Sequence, residues 1–246
     1  MLTTLWDDIK YIRCINLKER PDRKRTSSQL FQSLQIPLVY YETQRDPKGG
    51  ERGCYESHRM VMQDCVENYP ECPYALIFED DADVLNVPSE QSIQEVRRFL
   101  KTQTDWHILF LGASPNLVVE KTKPLKDFTF IRQVHAQLCH AYIVSRAFMT
   151  HFSRLPYEAF STPIDRLIAQ SSKTFAVNPT WFYQTDSPSD ISKAPRFTNT
   201  IRKQLVQFKN HYANNVNVPL IQVSFFVIVL LVVLLLFLCL YIFWSR

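Results

Sequence analysis

Glycine is scarce in this chain of 246 residues, with only Gly49, Gly50, Gly53 and Gly112. The dinucleotide-binding fingerprint and the P-loop each need glycines at fixed spacing, because their backbones must approach phosphate oxygens closely. These four glycines cannot be arranged into either motif. The two commonest phosphate-binding loops are therefore excluded.

An excess of one charge is also lacking, since 28 Lys and Arg stand against 24 Asp and Glu. No dense Lys/Arg stripe is interleaved with aromatic residues, so nucleic acid is not an expected partner. A hydrophobic content of 46% and a charged content of 21% exclude a wholly disordered chain. At about 100–200 residues per domain, the length favours one domain with an appendage or one large domain.

The six cysteines lack the spacing of a disulfide framework or a zinc motif. None forms C-x-x-C, and Cys239 lies in an apolar run near the end of the chain. The other five cannot all pair with one another, so we expect free thiols in a reducing compartment. An N-x-[ST] glycosylation acceptor is also absent, because Asn178-Pro179-Thr180 is blocked by its proline.

The long apolar run is Val223–Trp244, which contains no charged residue. As a helix it would be about 33 Å long, enough to cross a hydrocarbon core of about 30 Å. The alternative, a buried core helix, would usually carry a polar face. Residues 1–12 contain no apolar run of signal-peptide length. We therefore expect a single-pass, tail-anchored membrane protein with residues 1–218 in the cytosol.

The part before this run alternates between strand and helix patterns. Predicted helices begin near Pro21, Cys54, Ser89, Arg146 and Ile164. Predicted strands cover residues 11–17, 38–41, 74–78, 108–111 and 141–144, with a further antiparallel strand over 128–134. This alternation predicts an α/β sandwich with a mostly parallel sheet.

An acidic cluster directly follows the apolar strand Tyr74–Phe78: Glu79, Asp80, Asp81 and Asp83. Ligands of open α/β sheets bind beyond the carboxyl ends of the strands. Carboxylate oxygens suit Mg²⁺ or Mn²⁺, and these ions bridge the phosphate oxygens of nucleotides. A divalent-cation site is therefore predicted here, the alternative being an acidic turn that caps the next helix.

Six short sequence blocks follow one another along residues 10–193. They are I-N-L…R-P-D-R at Ile15–Arg23, G-C-Y-E-S-H at Gly53–His58, A-L-I-F-E-D-D at Ala75–Asp81, C-H-A-Y-I-V-S at Cys139–Ser145, P-I-D at Pro163–Asp165, and Q…S-D-I at Gln184 and Ser189–Ile191. In this order the blocks resemble glycosyltransferase family 25, which includes lipooligosaccharide galactosyltransferases and collagen β-galactosyltransferases.

This resemblance implies a nucleotide-binding, A-type glycosyltransferase fold over residues 1–197. Residues 198–218 would then connect this domain to an anchor at 219–246. The implied reaction transfers galactose or glucose from a UDP-sugar, with inversion and with Mn²⁺ or Mg²⁺, to a hydroxyl of a protein or glycan. Two alternatives are an inactive sugar-nucleotide-binding homologue and a divalent-metal phosphohydrolase. The second would need a D-x-D arrangement after the first strand, where this chain has Asn16 and Leu17.

The resemblance also implies roles for individual residues. The expected metal ligands are Glu79, Asp81, Asp83 and His140. The expected donor-binding residues are Asn16, Arg20, Arg23, Ser57, His58, Glu79 and Asp80. Asp81 and Asp165 are the expected catalytic residues, with Asp165 as general base. The alternatives are a solvated helix start for the two arginines, a packed imidazole for His58 and a helix cap for Asp165.

The expected topology can be tested on the full chain in sealed microsomes. Added protease should digest residues 1–218, because the predicted anchor leaves them on the cytosolic side. A control digestion after detergent lysis measures intrinsic protease sensitivity. Protection of residues 1–218 that is lost on lysis would contradict the prediction.

Overall fold

The computed structural model of the chain describes residues 5–115, 123–134, 136–169, 171, 173–185 and 203–204. The strands are β1 (Ile12–Leu17), β2 (Val39–Thr43), β3 (Tyr74–Glu79), β4 (Ala82–Val84), β5 (Ile108–Pro115), β6 (Lys123–Pro124), β7 (Ile131–Gln133), β8 (Ala136–Ser145), β9 (Thr174–Val177) and β10 (Phe182–Gln184). The α-helices are α1 (Pro21–Ser33), α2 (Gly50–Asn68), α3 (Glu90–Thr102), α4 (Arg146–Phe152) and α5 (Ile164–Ala169).

An eight-stranded sheet has the order β2-β1-β3-β8-β5-β9-β7-β6. β1 pairs in parallel with β2 and β3, and β5 pairs in parallel with β9. β8 runs antiparallel between β3 and β5, and β7 is antiparallel to β9 and β6. Apart from β7 and β8, the strands of this sheet therefore all point in the same direction. The α/β prediction is confirmed, and the sheet is mixed because β7 and β8 are reversed.

A smaller sheet pairs β10 antiparallel with β4. Since β4 follows β3 after a two-residue turn, this pairing brings the last described strand beside the end of β3. Gln184 pairs with Ala82 in this register, and the backbone N–H of Thr185 donates to the Asp81 carbonyl at 2.8 Å. Residues about 100 positions apart in the chain thus meet at one edge of the main sheet.

The two faces of the sheet are covered by different helices. Side chains alternate along β3, so Phe78 packs with α1 and α3, whereas Ile77 packs with α2 and α4. The rings of Phe31 and Phe78 lie 4.8 Å apart between centroids. The next two residues continue this alternation: Glu79, the last residue of β3, is directed toward α2, and Asp80, just after it, toward α1.

Some element boundaries differ from those predicted. The α2 helix begins at Gly50 instead of Cys54, after Gly49, whose φ of 125° is a conformation that favours glycine. Residues 50–53, which precede the predicted helix start, are therefore helical. The short strands β4, β9 and β10 were not predicted, because three or four residues are too few to show a clear alternation.

Within the described ranges no helix is long and apolar enough to cross a membrane. The predicted span at 223–244 lies outside the described residues, as does the segment Ser189–Ile191. The predicted connection 198–218 lies outside them too, apart from residues 203–204. The domain boundaries and the anchor stay predictions.

Candidate functional site

A cleft of about 220 Å³ lies beyond the carboxyl ends of β1, β2 and β3. These parallel strands end at the same edge of the sheet, and the first turns of α1 and α2 complete the walls. Among the residues that line the cleft are Arg23, Cys54, Ser57, His58, Glu79, Asp80, Asp81 and Gln184. Most of the predicted donor-binding residues are therefore brought together, from segments that are far apart in the chain.

Asp80 is held on the α1 side of the sheet. One carboxylate oxygen accepts a hydrogen bond from Asn16 Nδ2 at 2.7 Å, and the other accepts one from Arg23 Nη1 at 2.9 Å. Burial raises the pKa of Asp80, and the charge of Arg23 and the hydrogen bond from Asn16 act against this rise. Both Asp80 oxygens are thus already engaged by protein donors.

Glu79 is held on the α2 side. Its Oε1 lies 3.0 Å from His58 Nε2, and His58 Nδ1 lies 2.7 Å from the hydroxyl of Tyr142. Its Oε2 accepts from Gln184 Nε2 at 3.4 Å. Burial alone would raise the pKa of Glu79, but the hydrogen bond and charge of His58 lower it overall. Glu79 therefore carries its negative charge in a half-buried position.

Asp81 is the least satisfied of the three carboxylates. Its Oδ2 is 3.4 Å from Arg23 Nη1 and 3.3 Å from Gln184 Nε2. Its Oδ1 is buried and has no hydrogen-bond partner among the described residues. Burial and the neighbouring charge of Glu79 raise the pKa of Asp81 to about 8. Because a buried, unpaired acceptor is costly, this oxygen fits a cation ligand.

A second set of donor atoms lies in the same cleft. Cys54 Sγ, a ring nitrogen of His58 and a Glu79 oxygen all lie within 4.8 Å of one another. Cys54 and His58 are one turn apart on α2, so they share a face of the helix. This set combines sulfur, nitrogen and oxygen, whereas the Asp80 and Asp81 donors are oxygen alone.

Five of the predicted site residues do not line the cleft: Asn16, Arg20, Asp83, His140 and Asp165. The side chain of Arg20 pairs with Asp22 at 2.8 Å, and its backbone carbonyl accepts from Asn16 at 3.2 Å. Asp83 lies on β4 and accepts from the hydroxyl of Tyr183 at 2.9 Å. Asp165 accepts from the backbone N–H of Arg166 at 2.8 Å, in the first turn of α5.

Ser57 lines the cleft but is turned toward its own helix. Its hydroxyl lies 2.7 Å from the carbonyl of Gly53 and 3.2 Å from the Thr43 hydroxyl. Since a carbonyl can only accept, the Ser57 hydroxyl donates to Gly53, and the Ser57 oxygen faces the Thr43 hydroxyl. Ser57 therefore links α2 to the end of β2. Its predicted contact with the sugar donor stays a prediction.

His140 is buried on β8, close to the carboxylates. A Cβ at position 112 would lie 2.3 Å from His140 Nε2, so only glycine fits at Gly112 in this packing. The last paired residues of β3 and β8 are Phe78 and Ala141, and the next step along this register sets His140 beside Glu79. Positive charge on His140 lowers the pKa of Glu79. His140 therefore lies near the carboxylates, and its predicted role as a metal ligand stays a prediction.

No functional role was predicted for Cys54, Tyr142 or Gln184 from the sequence, although all three lie in the blocks that carry the family resemblance. Tyr142 orients His58, and Gln184 contacts both Glu79 and Asp81. Membership of those blocks was the available signal. The roles themselves depend on contacts across 84 to 105 residues of chain.

The chain is similar to a protein-family model and, at low sequence identity, to solved structures. A family model described as "Glycosyltransferase family 25 (LPS biosynthesis protein)" matches residues 40–168. The crystal structure of a glycosyltransferase involved in glycosylation of the major capsid of PBCV-1 is similar over 80% of this chain and 99% of that one, with 9% identity and a TM-score of 0.45. A crystal structure of a protein from STIV is similar over 75% and 98%, with 10% identity and a TM-score of 0.41. No curated protein matches the chain.

The raised pKa of Asp81 predicts a pH-dependent stability in metal-free protein. Between its ordinary value of 3.8 and about 8, folded Asp81 retains a proton that the unfolded chain releases. Its contribution to stability is therefore full at low pH and is lost as pH rises toward 8. We expect Asp81→Asn to gain stability relative to wild type as pH rises.

Urea unfolding in the presence of chelator, at several pH values from about 5 to 8, measures this difference. Asp22→Asn is the control: the pKa of this exposed carboxyl is lowered to about 2 by Arg20, so it is ionised in both states throughout that range. A constant difference between Asp81→Asn and wild type would contradict the prediction.

Proposed function

The chain belongs to glycosyltransferase family 25 and is a glycosyltransferase, and from this premise we propose that it transfers a sugar from a UDP-sugar to an acceptor hydroxyl in a reaction that depends on a divalent cation. The transfer proceeds with inversion, galactose or glucose is the donor sugar, and the hydroxyl belongs to a protein or a glycan. The observation that carries the proposal is the buried Asp81 Oδ1, which has no partner among the described residues in a cleft that four carboxylates line, those of Asp46, Glu79, Asp80 and Asp81.

Charge in the cleft supports a cation there. Glu79, Asp80 and Asp81 are adjacent, Asp80 is buried and the other two are half-buried, and the guanidinium of Arg23 pairs with Asp80 and Asp81. Burial raises the pKa of Asp81 most, and repulsion by the adjacent carboxylate of Glu79 adds to the rise. Asp81 and Glu79 would hold Mn²⁺ or Mg²⁺, since Asp81 Oδ1 has no partner among the described residues and Glu79 Oε2 accepts a long hydrogen bond of 3.4 Å, whereas both Asp80 oxygens accept short ones. Such an ion, when bound, would neutralise negative charge on the departing diphosphate.

Arg23 and Arg45 also line the cleft and supply positive charge there. A guanidinium binds two phosphate oxygens through its planar fork, so these side chains suit the diphosphate of a nucleotide sugar. Arg23 is oriented by Asp80, and Asp80 is oriented by Asn16 at the end of β1. Asn16 therefore acts on the donor through Asp80 and Arg23.

Inverting transfer also needs a base for the acceptor proton. Asp165 is our candidate, although it does not line the cleft. Its charge acts on the thiol of Cys54: burial raises the pKa of Cys54 most, followed by the charges of Glu79 and Asp165. Since Cys54 lines the cleft, Asp165 lies near its α2 wall, where an acceptor could approach.

We propose in addition that residues 223–244 anchor the enzyme in a membrane, with the catalytic residues on the cytosolic side. The uncharged composition of that run supports this proposal. An enzyme held there would meet acceptors at the membrane surface.

The cation requirement can be measured directly in transfer assays. Chelator should abolish transfer of sugar from UDP-sugar, and Mn²⁺ should restore it. Asp81→Asn keeps the side-chain size but removes a ligand charge, and should slow transfer by at least about 10²-fold. Asp22→Asn, on the exposed side of α1, is a matched control. Full activity of Asp81→Asn in chelator would disprove the metal role.

The base and the metal ligand should differ in kinetics and binding. Asp165→Asn should slow transfer while UDP affinity stays near normal, because the contacts to the diphosphate remain. Asp81→Asn should weaken UDP binding itself. Calorimetry gives the UDP affinity and a separate assay gives the transfer rate. Equal loss of UDP affinity in both variants would assign Asp165 to the donor site, and normal transfer by Asp165→Asn would reduce it to a helix cap.

A further inference from the structure

The wall of the cleft on the α2 side carries a thiol, an imidazole and a carboxylate at metal-ligand distances. We propose that Cys54 Sγ, His58 Nε2 and Glu79 Oε1 form a binding site for Zn²⁺. The three donor atoms lie within 4.8 Å of one another. The site is separate in ligand chemistry from the oxygen donors of Asp80 and Asp81.

The spacing of the donors fits a tetrahedral ion after a small adjustment. Bonds to zinc of about 2.0–2.3 Å set neighbouring ligand atoms about 3.3–3.7 Å apart. His58 Nε2 and Glu79 Oε1 are 3.0 Å apart, so they must separate by a few tenths of an ångström. The Glu79 side chain can make this movement because its other oxygen has only a long contact, 3.4 Å, to Gln184.

Tyr142 is placed to support His58 as a ligand. Zinc-binding histidines use one ring nitrogen for the metal, and a hydrogen bond at the other fixes the orientation of the ring. His58 Nδ1 already has such a partner, since the Tyr142 hydroxyl lies 2.7 Å away and both groups are buried. A hydroxyl can donate or accept, so it can serve either tautomer of the imidazole.

Protons must be redistributed when the ion binds. With a neutral imidazole and an ionised Glu79, which can only accept, Nε2–H of His58 donates to Glu79 in the metal-free site and Nδ1 accepts from the Tyr142 hydroxyl. With zinc on Nε2, the proton moves to Nδ1 and is donated to the Tyr142 oxygen. The Cys54 thiol loses its proton and binds as thiolate. Each zinc ion bound therefore releases one proton to solvent.

The chemistry of the donors selects zinc over the ions proposed for Asp81. Thiolate and imidazole are soft and borderline ligands that favour Zn²⁺, whereas Mg²⁺ and Mn²⁺ prefer oxygen. Cys54, His58 and Glu79 all line the cleft, so an ion can enter from solvent. Three protein ligands leave a fourth position for water.

Glu79 is common to both donor sets, and an ion at Cys54 would draw it away from Asp81. That consequence rests on the proposed function, but zinc binding does not. The site is therefore tested without donor, acceptor or Mn²⁺, so that its failure and the failure of metal-dependent transfer remain distinguishable.

The test titrates the metal-free, full-length protein in detergent with Co²⁺, a spectroscopic substitute for Zn²⁺. One equivalent should produce thiolate-to-metal charge-transfer absorption, which Zn²⁺ should displace and Mg²⁺ should not. Cys54→Ala should lose the band. His58→Ala should bind at least tenfold more weakly, and Tyr142→Phe should keep the band with about tenfold lower affinity. Cys72→Ala, a buried cysteine outside the cleft, is the matched control and should keep the band.

A second measurement on wild-type protein does not depend on the folding of any variant. Zn²⁺ should protect Cys54 from alkylation by iodoacetamide, as mapped by mass spectrometry, and Mg²⁺ should not. The proposal is overturned if no thiolate band forms, if the band survives in folded Cys54→Ala, or if Zn²⁺ leaves the alkylation of Cys54 unchanged.

Discussion

The crowding of three consecutive, largely desolvated carboxylates at the end of β3 is the constraint on which the site depends. Asp80 is buried and Glu79 and Asp81 are half-buried, so each must find a donor or a counter-charge, or keep a proton. Strand alternation separates the first two, because Glu79 faces α2 and Asp80 faces α1. Each then meets its own partners, while Asp81 shares Arg23 and Gln184 with its neighbours.

The elements around this edge are arranged to supply those partners. The end of β1 provides Asn16, the first turn of α1 provides Arg23, and α2 provides His58. The β4–β10 pair brings Gln184 back to the same point from about 100 residues further along the chain. The site is therefore a product of the whole α/β sandwich, because each partner comes from a different element.

The same carboxylate, Glu79, joins two kinds of donor set in one cleft. Toward Asp81 the donors are oxygen atoms, and toward Cys54 they are sulfur and nitrogen. Metal selectivity follows ligand type and geometry more than raw affinity. An enzyme with this cleft would distinguish a hard cation from zinc by which side of Glu79 the ion approaches.

Much of the fold was predictable from the sequence. The alternating strand and helix patterns and the apolar run before Glu79 predicted an α/β sandwich with acidic residues at a strand end, and the ordered blocks indicated the family. These features are local, since propensity and periodicity act over a few residues. The predicted membrane span is equally local, and it stays a prediction.

Tertiary structure alone decided how the candidate residues share their roles. Nothing in the order Glu79-Asp80-Asp81 indicates that Asp80 is saturated by Asn16 and Arg23 while Asp81 keeps an oxygen without a partner among the described residues. The cysteine and histidine spacing matches no zinc motif, because such motifs are local in sequence, whereas Glu79 on β3 joins Cys54 and His58 on α2 only in the folded chain. The direction of β8 was equally hidden, since an apolar run pairs in either direction. Such contacts depend on which elements the sheet makes neighbours, and that is settled by packing of the whole chain.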